Sequence, residues 1–279
     1  MAVQQKANAK GTPGKAAPAA APAPARKAAK KPALASDEDL GFLDDFDGEG
    51  TENIGAGDIS ANYLKIAQSN TPEVVEGTIE GLAPGCFFSS LSGISFGKRV
   101  NLIVLRYEVS WMVWAPRDSG QNGLIGRYPV NGIPVVIGEK GKMYDHDGNT
   151  VSETQTYHVL VEGYENLGIM VFSLSSTMLK YGRKWNTLIA QSRTPSGTKK
   201  APIFQNVWTV ETILDGNSKG KWYNIGSQNQ AAISVARTIT RDEYEENVQD
   251  AFEVVKHLPA ITAGPAQQAL EDHSTLDGV

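Results

Sequence analysis

The sequence predicts a mainly β protein with two helices, of the α+β class. Aromatic and β-branched residues become frequent after about residue 56, and Gly or Asn-Gly turn signals divide them into short runs. Two stretches with apolar residues at helical spacing interrupt these runs. The order of several strands, one helix and two more strands is typical of a five-stranded Greek-key barrel of the OB type with elaborated loops. A β-sandwich is the alternative.

The predicted strands are six apolar runs, of which residues 100–114 form the longest. Within it, Trp111 and Trp114 fall on opposite faces, so at most one of these rings needs to be buried. Residues 158–162 and 167–174 are either separate strands or the arms of one hairpin. The other predicted strands cover residues 130–137, 204–214 and, after a turn at Asp215-Gly216-Asn217, residues 221–225.

The first predicted helix covers residues 176–191, where apolar residues including Tyr181 and Trp185 recur at helical spacing. One of the serines at 175–176 can cap it. Gly182 is a weak position, because glycine disfavours a helix interior.

The second predicted helix covers residues 241–257. Thr240 and Glu243 have the spacing of a capping box at its start. Acidic residues are concentrated in its first turns, where the helix dipole favours negative charge.

Composition separates the first 53 residues from the rest of the chain. Residues 1–35 contain fourteen Ala, five Pro and seven Lys/Arg, with no Asp or Glu, so their charge is +7 and disorder is predicted. Residues 36–53 contain eight Asp/Glu and no Lys/Arg, a charge of −8, with large apolar residues among them. Such a segment is typical of a docking peptide for a partner protein, and a solvated linker is the alternative. The predicted partner-binding residues are Asp39, Phe42, Leu43, Asp44, Asp45 and Phe46.

These patterns predict three regions. A disordered basic arm and acidic segment occupies residues 1–55, an OB-like domain residues 56–260, and a disordered tail residues 261–279. The single cysteine, Cys86, excludes an internal disulfide and a zinc site built from several thiolates. No apolar run approaches the roughly 18 residues that cross a bilayer, and no secretory signal is visible. We therefore expect a soluble cytoplasmic protein that does not bind membranes.

No catalytic or cofactor motif is found in the sequence. Phosphate-binding glycine loops, nucleophile elbows and metal-binding histidine pairs are absent. Residues 145–149 alternate oxygen donors but lack the rest of a calcium loop, so a tight hairpin turn is predicted there. We expect no enzyme activity, no metal and no cofactor. The four histidines occur singly, at His146, His158, His257 and His273.

The positive signal is a region that is both basic and aromatic. Residues 175–241 contain ten Lys/Arg and two Asp/Glu, a charge of +8 in a chain of net charge −5, together with six aromatic residues that include Trp208. Cations neutralise the phosphates of a single strand, and exposed rings stack on its bases. Trp185 and Trp208 are also candidates for the core, and Lys180, Arg183 and Lys184 for an ordinary solvated face. The predicted nucleic-acid-binding residues are Arg106, Tyr107, Trp111, Lys180, Arg183, Lys184, Trp185, Arg193, Lys199, Lys200, Lys219, Lys221, Trp222 and Tyr223.

The layout of several short motifs resembles a group of tailed-bacteriophage proteins of early or replication-linked type, over about residues 57–256. The motifs are Leu64-Lys65-Ile66-Ala67-Gln68-Ser69-Asn70-Thr71-Pro72-Glu73-Val74, Pro84-Gly85-Cys86-Phe87-Phe88, Ser92-Gly93, the run of residues 172–180, Lys184-Trp185 and Gly220-Lys221-Trp222-Tyr223. Some members are regarded as single-stranded-DNA-binding proteins, so the resemblance implies an OB-type barrel that coats exposed strands. Bacterial single-strand binders usually carry an acidic peptide at the extreme C-terminus, whereas here the stronger acidic segment precedes the core.

Two functions follow as expectations. The first is a non-catalytic, largely sequence-independent single-stranded-DNA-binding protein for phage replication or recombination, with replication or recombination proteins docking on the acidic segment. The second is a virion-associated structural or assembly protein.

Overall fold

The computed structural model describes residues 60–116, 123–218, 220–228, 230–258 and 264–265. The chain divides into two units between Ile54 and Gly55, and every described residue belongs to the second. The predicted partner-binding residues Asp39, Phe42, Leu43, Asp44, Asp45 and Phe46 lie outside the described residues.

A nine-stranded sheet dominates the described residues. Its main strand order is β15-β10-β4-β8-β7-β6; β9 also pairs with β8, β5 pairs with the C-terminal half of β4, and β16 pairs with β5. Its members are β4 (Arg99–Trp114), β5 (Leu124–Pro129), β6 (Val136–Ile137), β7 (Met143–Tyr144), β8 (Thr150–Val161), β9 (Met170–Ser175), β10 (Asn206–Glu211), β15 (Ile233–Thr238) and β16 (Gly264–Pro265).

Smaller sheets and short helices complete the described chain. One sheet has the order β1-β2-β3, and two hairpins pair β11 with β12 and β13 with β14. These strands are β1 (Leu64–Ile66), β2 (Phe87–Ser89), β3 (Ser95–Gly97), β11 (Ile213–Asn217), β12 (Gly220–Asn224), β13 (Gly226–Ser227) and β14 (Gln230–Ala231). The helices are α1 (Pro72–Val75), α2 (Leu179–Gln191), α3 (Arg241–Glu243) and α4 (Gln249–His257), and π-helical residues Tyr244–Val248 join the last two.

Strand β4 is the axis of the large sheet. It pairs with β8 from Leu102 to Trp114, and a bulge at Leu105 interrupts their register. Its N-terminal residues Arg99–Ile103 also pair with β10, and its C-terminal residues Ser110–Trp114 pair with β5. Apolar residues on both faces explain its strong signal in the sequence, because strand residues alternate between faces.

Each face of the sheet is covered by a different layer. Leu102 and Val104 pack in a cluster with Trp185 of α2 and with Phe87 of the three-stranded sheet β1-β2-β3, which we call the small sheet. Ile103 and Leu105, which point to the opposite face, pack with Val248 and Val255 of the C-terminal helical segment, residues 241–257. A third cluster, around Trp111 and Val113, lies at the end of the sheet where β4 pairs with β5.

The mainly β character with few helices that the sequence predicts is confirmed, but the five-stranded OB barrel is not found among the described strands. The sheet stays open, with β15 and β6 at the two ends of its main strand order. Helical and sheet layers bury its apolar faces, so the sheet excludes water without closing on itself.

Four local predictions are corrected. Most of residues 130–137 form no strand, because Asn131 has φ 64° and the N–H of Gly132 bonds back to the carbonyl of Pro129, which makes a tight turn. Residues 215–217 lie within β11 rather than in a turn. Neither serine at 175–176 caps α2: residues 176–178 form a 3-10 turn, and Met178 is the N-cap of α2, without a side-chain cap hydrogen bond. Nine of the described strands were not predicted, because they are short or carry Gly, Arg, Ser and Pro within them: β1, β2, β3, β5, β7, β13, β14, β15 and β16.

Other local predictions are confirmed. Strands β8 and β9 are the arms of one hairpin. The capping box forms, with Thr240 accepting from the N–H of Glu243 and the Glu243 carboxylate accepting from the N–H of Thr240. Asp145 accepts from the N–H groups of Asp147 and Asn149, as expected for the predicted tight turn. Within the described chain, no helix is both long and apolar enough to cross a membrane.

Candidate nucleic-acid interface

Helix α2 presents cations on one side and core residues on the other. Tyr181 and Trp185 have no exposed surface, whereas Lys180 and Lys184 are exposed. The two lysines are four residues apart and therefore neighbours on the helix surface. The amphipathic spacing thus separates a packing face from a basic face.

The loop after α2 adds three exposed cations. Arg193 and Lys200 pair through an antiparallel bridge, and Lys199 lies next to them in sequence. The N–H of Ala201 bonds to the carbonyl of Ser192, and the amide of Gln205 donates to the carbonyl of Arg193, so the base of the loop is anchored. No Asp or Glu occurs from residue 166 to residue 210.

The β11–β12 hairpin lies beside the start of α2. The Tyr181 hydroxyl is 3.4 Å from Oδ2 of Asp215, which pairs with Trp222 across the hairpin. Lys221 is exposed, while Trp222 and Tyr223 are half-buried. The hairpin therefore meets α2 at Tyr181, and Nζ of Lys180 lies 4.8 Å from the centroid of the same Tyr181 ring.

Six of the predicted cations have no acidic partner among the described residues. Within the part of the chain that the structure describes, no carboxylate oxygen lies within 4.0 Å of any of them. We call this set the basic surface: Lys180, Lys184, Arg193, Lys199, Lys200 and Lys221.

Other cations of the basic region have partners. Arg183 forms an ion pair with Glu153 at 3.1 Å. Arg237 bonds to both Glu243 and Glu162 at 2.5 Å, and these carboxylates raise the pKa of its guanidinium. Arg241 pairs with a glutamate one turn later in the same helical segment. Counting charges along the sequence therefore overstates the positive charge that is free on the surface.

Arg106 lies on the face of the large sheet opposite α2, and it anchors the C-terminal helical segment. Its guanidinium donates to the carbonyls of Val255 at 2.7 Å and Leu258 at 2.8 Å. The same group lies 2.5 Å from Oε1 of Glu108. A cation at these terminal carbonyls also offsets the negative end of the helix dipole.

Glu108 is the centre of a charged cluster beneath that helical segment. His158 has Nε2 at 3.9 Å and Arg127 a guanidinium nitrogen at 3.4 Å from Oε2 of Glu108. His158 and the cations Arg106 and Arg127 lower the pKa of Glu108, against burial, which raises it. Arg106 and Arg127 bond to Glu108, whereas Nε2 of His158 is buried without a hydrogen-bond partner among the described residues. We assign the cluster to structure because Arg106 joins it to the C-terminal helical segment.

The predicted stacking rings divide into buried and half-buried groups. Trp185 is 0% exposed and Trp111 is 8% exposed, so neither can stack on a base in this conformation. Trp114, on the opposite face from Trp111, is half-buried, in agreement with the sequence argument. Tyr107 is half-buried against Tyr157, and burial raises the pKa of both phenols.

Two further lysines, Lys219 and Lys98, are not part of the basic surface. Lys219 lies outside the described residues, so its position is not assigned. Sequence reasoning did not identify Lys98, which is exposed and has its Nζ 5.1 Å from the centroid of the Tyr223 ring. It lies outside the basic stretch and no spacing rule connects it to the hairpin. Among the described residues, no group of three or more His, Cys, Asp and Glu is placed to hold a metal ion.

A comparison with protein families matches residues 30–255 to the model described as Pam3 phage gp34-like protein. The chain belongs to the Pam3 phage gp34-like family. The matched region includes the acidic segment, all of the basic surface and most of the C-terminal helical segment. This family is one of phage proteins, in agreement with the phage origin that the motifs suggested. No curated protein and no solved structure matches the chain.

Proposed function

We propose that the protein is a non-catalytic, largely sequence-independent single-stranded-DNA-binding protein that supports phage replication or recombination. The observation that carries the proposal is the basic surface, six exposed cations with no carboxylate within 4.0 Å among the described residues. Unpaired cations attract phosphates and gain counterion-release free energy when they bind them.

The geometry favours phosphate contacts over base contacts. Of the five predicted rings, Trp111 and Trp185 are in the core. The half-buried Trp222 and Tyr223 follow Lys221 in the sequence. Stacking of one or two bases at this hairpin would select unpaired strands without reading their sequence. The acidic segment, residues 36–53, would dock replication or recombination proteins.

The first test is a titration with fluorescein-labelled oligo(dT) across a salt series. If all six cations contact phosphates, log Kobs should fall with log salt at a slope of roughly −4, from the single-strand coefficient of about −0.7 per phosphate. The Lys180→Gln/Lys184→Gln variant should bind more weakly and reduce the slope by about 1.4. The Lys142→Gln/Lys256→Gln variant changes net charge equally at exposed lysines outside the basic surface, and should retain the wild-type slope.

The second test examines stacking. Tryptophan fluorescence should be quenched by oligo(dT), and Trp222→Phe should abolish most of the quenching while labelled oligo(dT) still binds. A duplex competitor should displace the single strand poorly, because its bases are not free to stack.

Two results would reject the proposal: no salt-sensitive binding at low ionic strength, or equal salt slopes for the two double variants. If DNA binding is absent and the protein is present at stoichiometric copy in purified virions, the virion-associated role is the correct one.

A further inference from the structure

A groove lies between the small sheet and strand β9. The two edges meet at one parallel bridge between Tyr63 and Val171, where the N–H of Val171 donates to the carbonyl of Asn62 at 2.7 Å. Beyond this bridge no further strand pairing joins β1 and β9 among the described residues. The floor of the groove between them includes Phe88, Phe172 and Met178.

Both walls of the groove have backbone groups that no described strand satisfies. The carbonyl of Tyr63 accepts from the N–H of Ser90, and the N–H of Ala67 donates to the carbonyl of Cys86, at the two ends of β2. By alternation Ile66 therefore directs its N–H and carbonyl to the opposite edge, toward β9. Val171 directs its N–H toward β1, and Ser173, two residues on, therefore does the same. Among the described residues, neither Ile66 nor Ser173 has a strand partner on its groove edge.

A carboxylate at the rim also lacks a donor. Glu73 of α1 lines the groove, and its Oε2 is buried without a hydrogen-bond partner among the described residues. A buried carboxylate oxygen without a donor costs free energy, and a cationic donor satisfies it best. The groove therefore combines two open strand edges, an apolar floor and one negative group.

We propose that this groove binds an extended peptide segment of a partner protein by strand addition. The peptide backbone would pair with Ile66 and Ser173, alternate apolar side chains would contact the floor, and a Lys or Arg side chain would bond to Glu73. Strand addition uses main-chain hydrogen bonds for affinity and side-chain contacts for specificity. The proposal does not depend on nucleic-acid binding, because none of these residues belongs to the basic surface.

The test is selection of a displayed random heptapeptide library on the full-length protein. Enriched peptides should alternate apolar residues and contain Lys or Arg. Ser173→Pro removes one edge N–H, and proline is tolerated at the edge of a sheet. The affinity of the synthesised peptides for this variant should be about tenfold lower than for the wild type. Glu73→Gln should lower their affinity by a similar factor. Val235→Pro, which alters the exposed edge strand β15, is the matched control and should bind as the wild type does.

Urea unfolding checks that each variant is folded. If the Ser173→Pro variant is not folded, the same peptides are synthesised with alternate amides N-methylated, and these should fail to bind the wild-type protein. The proposal is overturned if no peptide is enriched. It is also overturned if the enriched peptides bind the Ser173→Pro variant with wild-type affinity, or if the N-methylated peptides bind the wild-type protein with the affinity of the unmethylated ones. Peptides without a cation that are insensitive to Glu73→Gln overturn the role of Glu73.

Discussion

At the scale of single residues, aromatic side chains show how one residue type serves different purposes. The Trp185 ring stacks on Tyr157 with centroids 4.4 Å apart and meets Trp208 edge-on at 6.2 Å. The half-buried Trp222 lies on a hairpin beside an exposed lysine. The helical spacing of Trp185 favoured the core, whereas the spacing of Trp208 on a strand left both interpretations open.

Trp185→Ala should destabilise the fold by about 3–5 kcal/mol, the usual cost of deleting a large buried ring. Urea unfolding followed by far-UV circular dichroism measures this change. Affinity for oligo(dT), expressed per folded molecule, should be unchanged because the ring is 0% exposed. A stable variant with weak DNA binding would place this ring in the interface instead.

Gly182→Ala should destabilise the protein although alanine favours helices by about 1 kcal/mol over glycine. An added Cβ would lie 2.2 Å from Oε1 of Gln155 and 3.0 Å from Leu174, and both side chains are buried. We expect a net loss of about 1–2 kcal/mol in urea unfolding. Thr187→Ala, on the exposed face of the same helix, should stay within about 0.5 kcal/mol of wild type. Stabilisation by Gly182→Ala would show that Gln155 can move aside.

At the scale of elements, the C-terminal helical segment depends on both its ends. The capping box at Thr240 satisfies its first N–H groups. At the other end, Arg106 of β4 bonds to the carbonyls of Val255 and Leu258. The sequence predicts the first device, because its residues are adjacent along the chain. It does not predict the second, because the partners are separated by about 150 residues.

Arg106→Met should detach the end of this helical segment. The substitution removes two donors to helix carbonyls and one partner of Glu108, and we expect a loss on the order of 3 kcal/mol. Amide hydrogen exchange should accelerate first in α4, while oligo(dT) affinity per folded molecule is retained. Arg99→Met, which breaks an exposed ion pair with Glu211, should cost no more than about 1 kcal/mol. Lost DNA affinity in folded Arg106→Met protein would return Arg106 to the interface.

At the scale of the whole molecule, ion pairing decides what the net charge means. The average of −5 includes a +7 arm, a −8 segment and a basic region. In the described part of that region, Arg183, Arg237 and Arg241 are paired with carboxylates, and the six cations of the basic surface are not. The +8 of the sequence count therefore overstates the positive charge that lacks a carboxylate partner among the described residues.

Acid should destabilise the whole fold through two carboxylates. Arg237 and the N–H of Thr240 lower the pKa of Glu243 to about 2, and the pKa of Glu108 is also lowered. Folding depresses both pKa values, so both contributions are present above the ordinary pKa of about 4.5 and are lost at lower pH, that of Glu243 as pH falls toward about 2. Urea midpoints between pH 6 and pH 2 should decline, and Glu243→Gln should flatten part of that decline. A midpoint independent of pH in this range would contradict the assignment.

The sequence by itself determined the long central strand, the two helices, the capping box and the division between basic and acidic regions. Each of these depends on composition or on residues close together along the chain, where periodicity and capping rules operate. Tertiary structure alone decided that the sheet stays open, that Arg106 serves a helix end, and which cations lack a carboxylate. Those outcomes depend on contacts between distant residues such as Arg106 and Val255 or Arg237 and Glu162. Local patterns carry no information about such pairs, because only folding brings them within bonding distance.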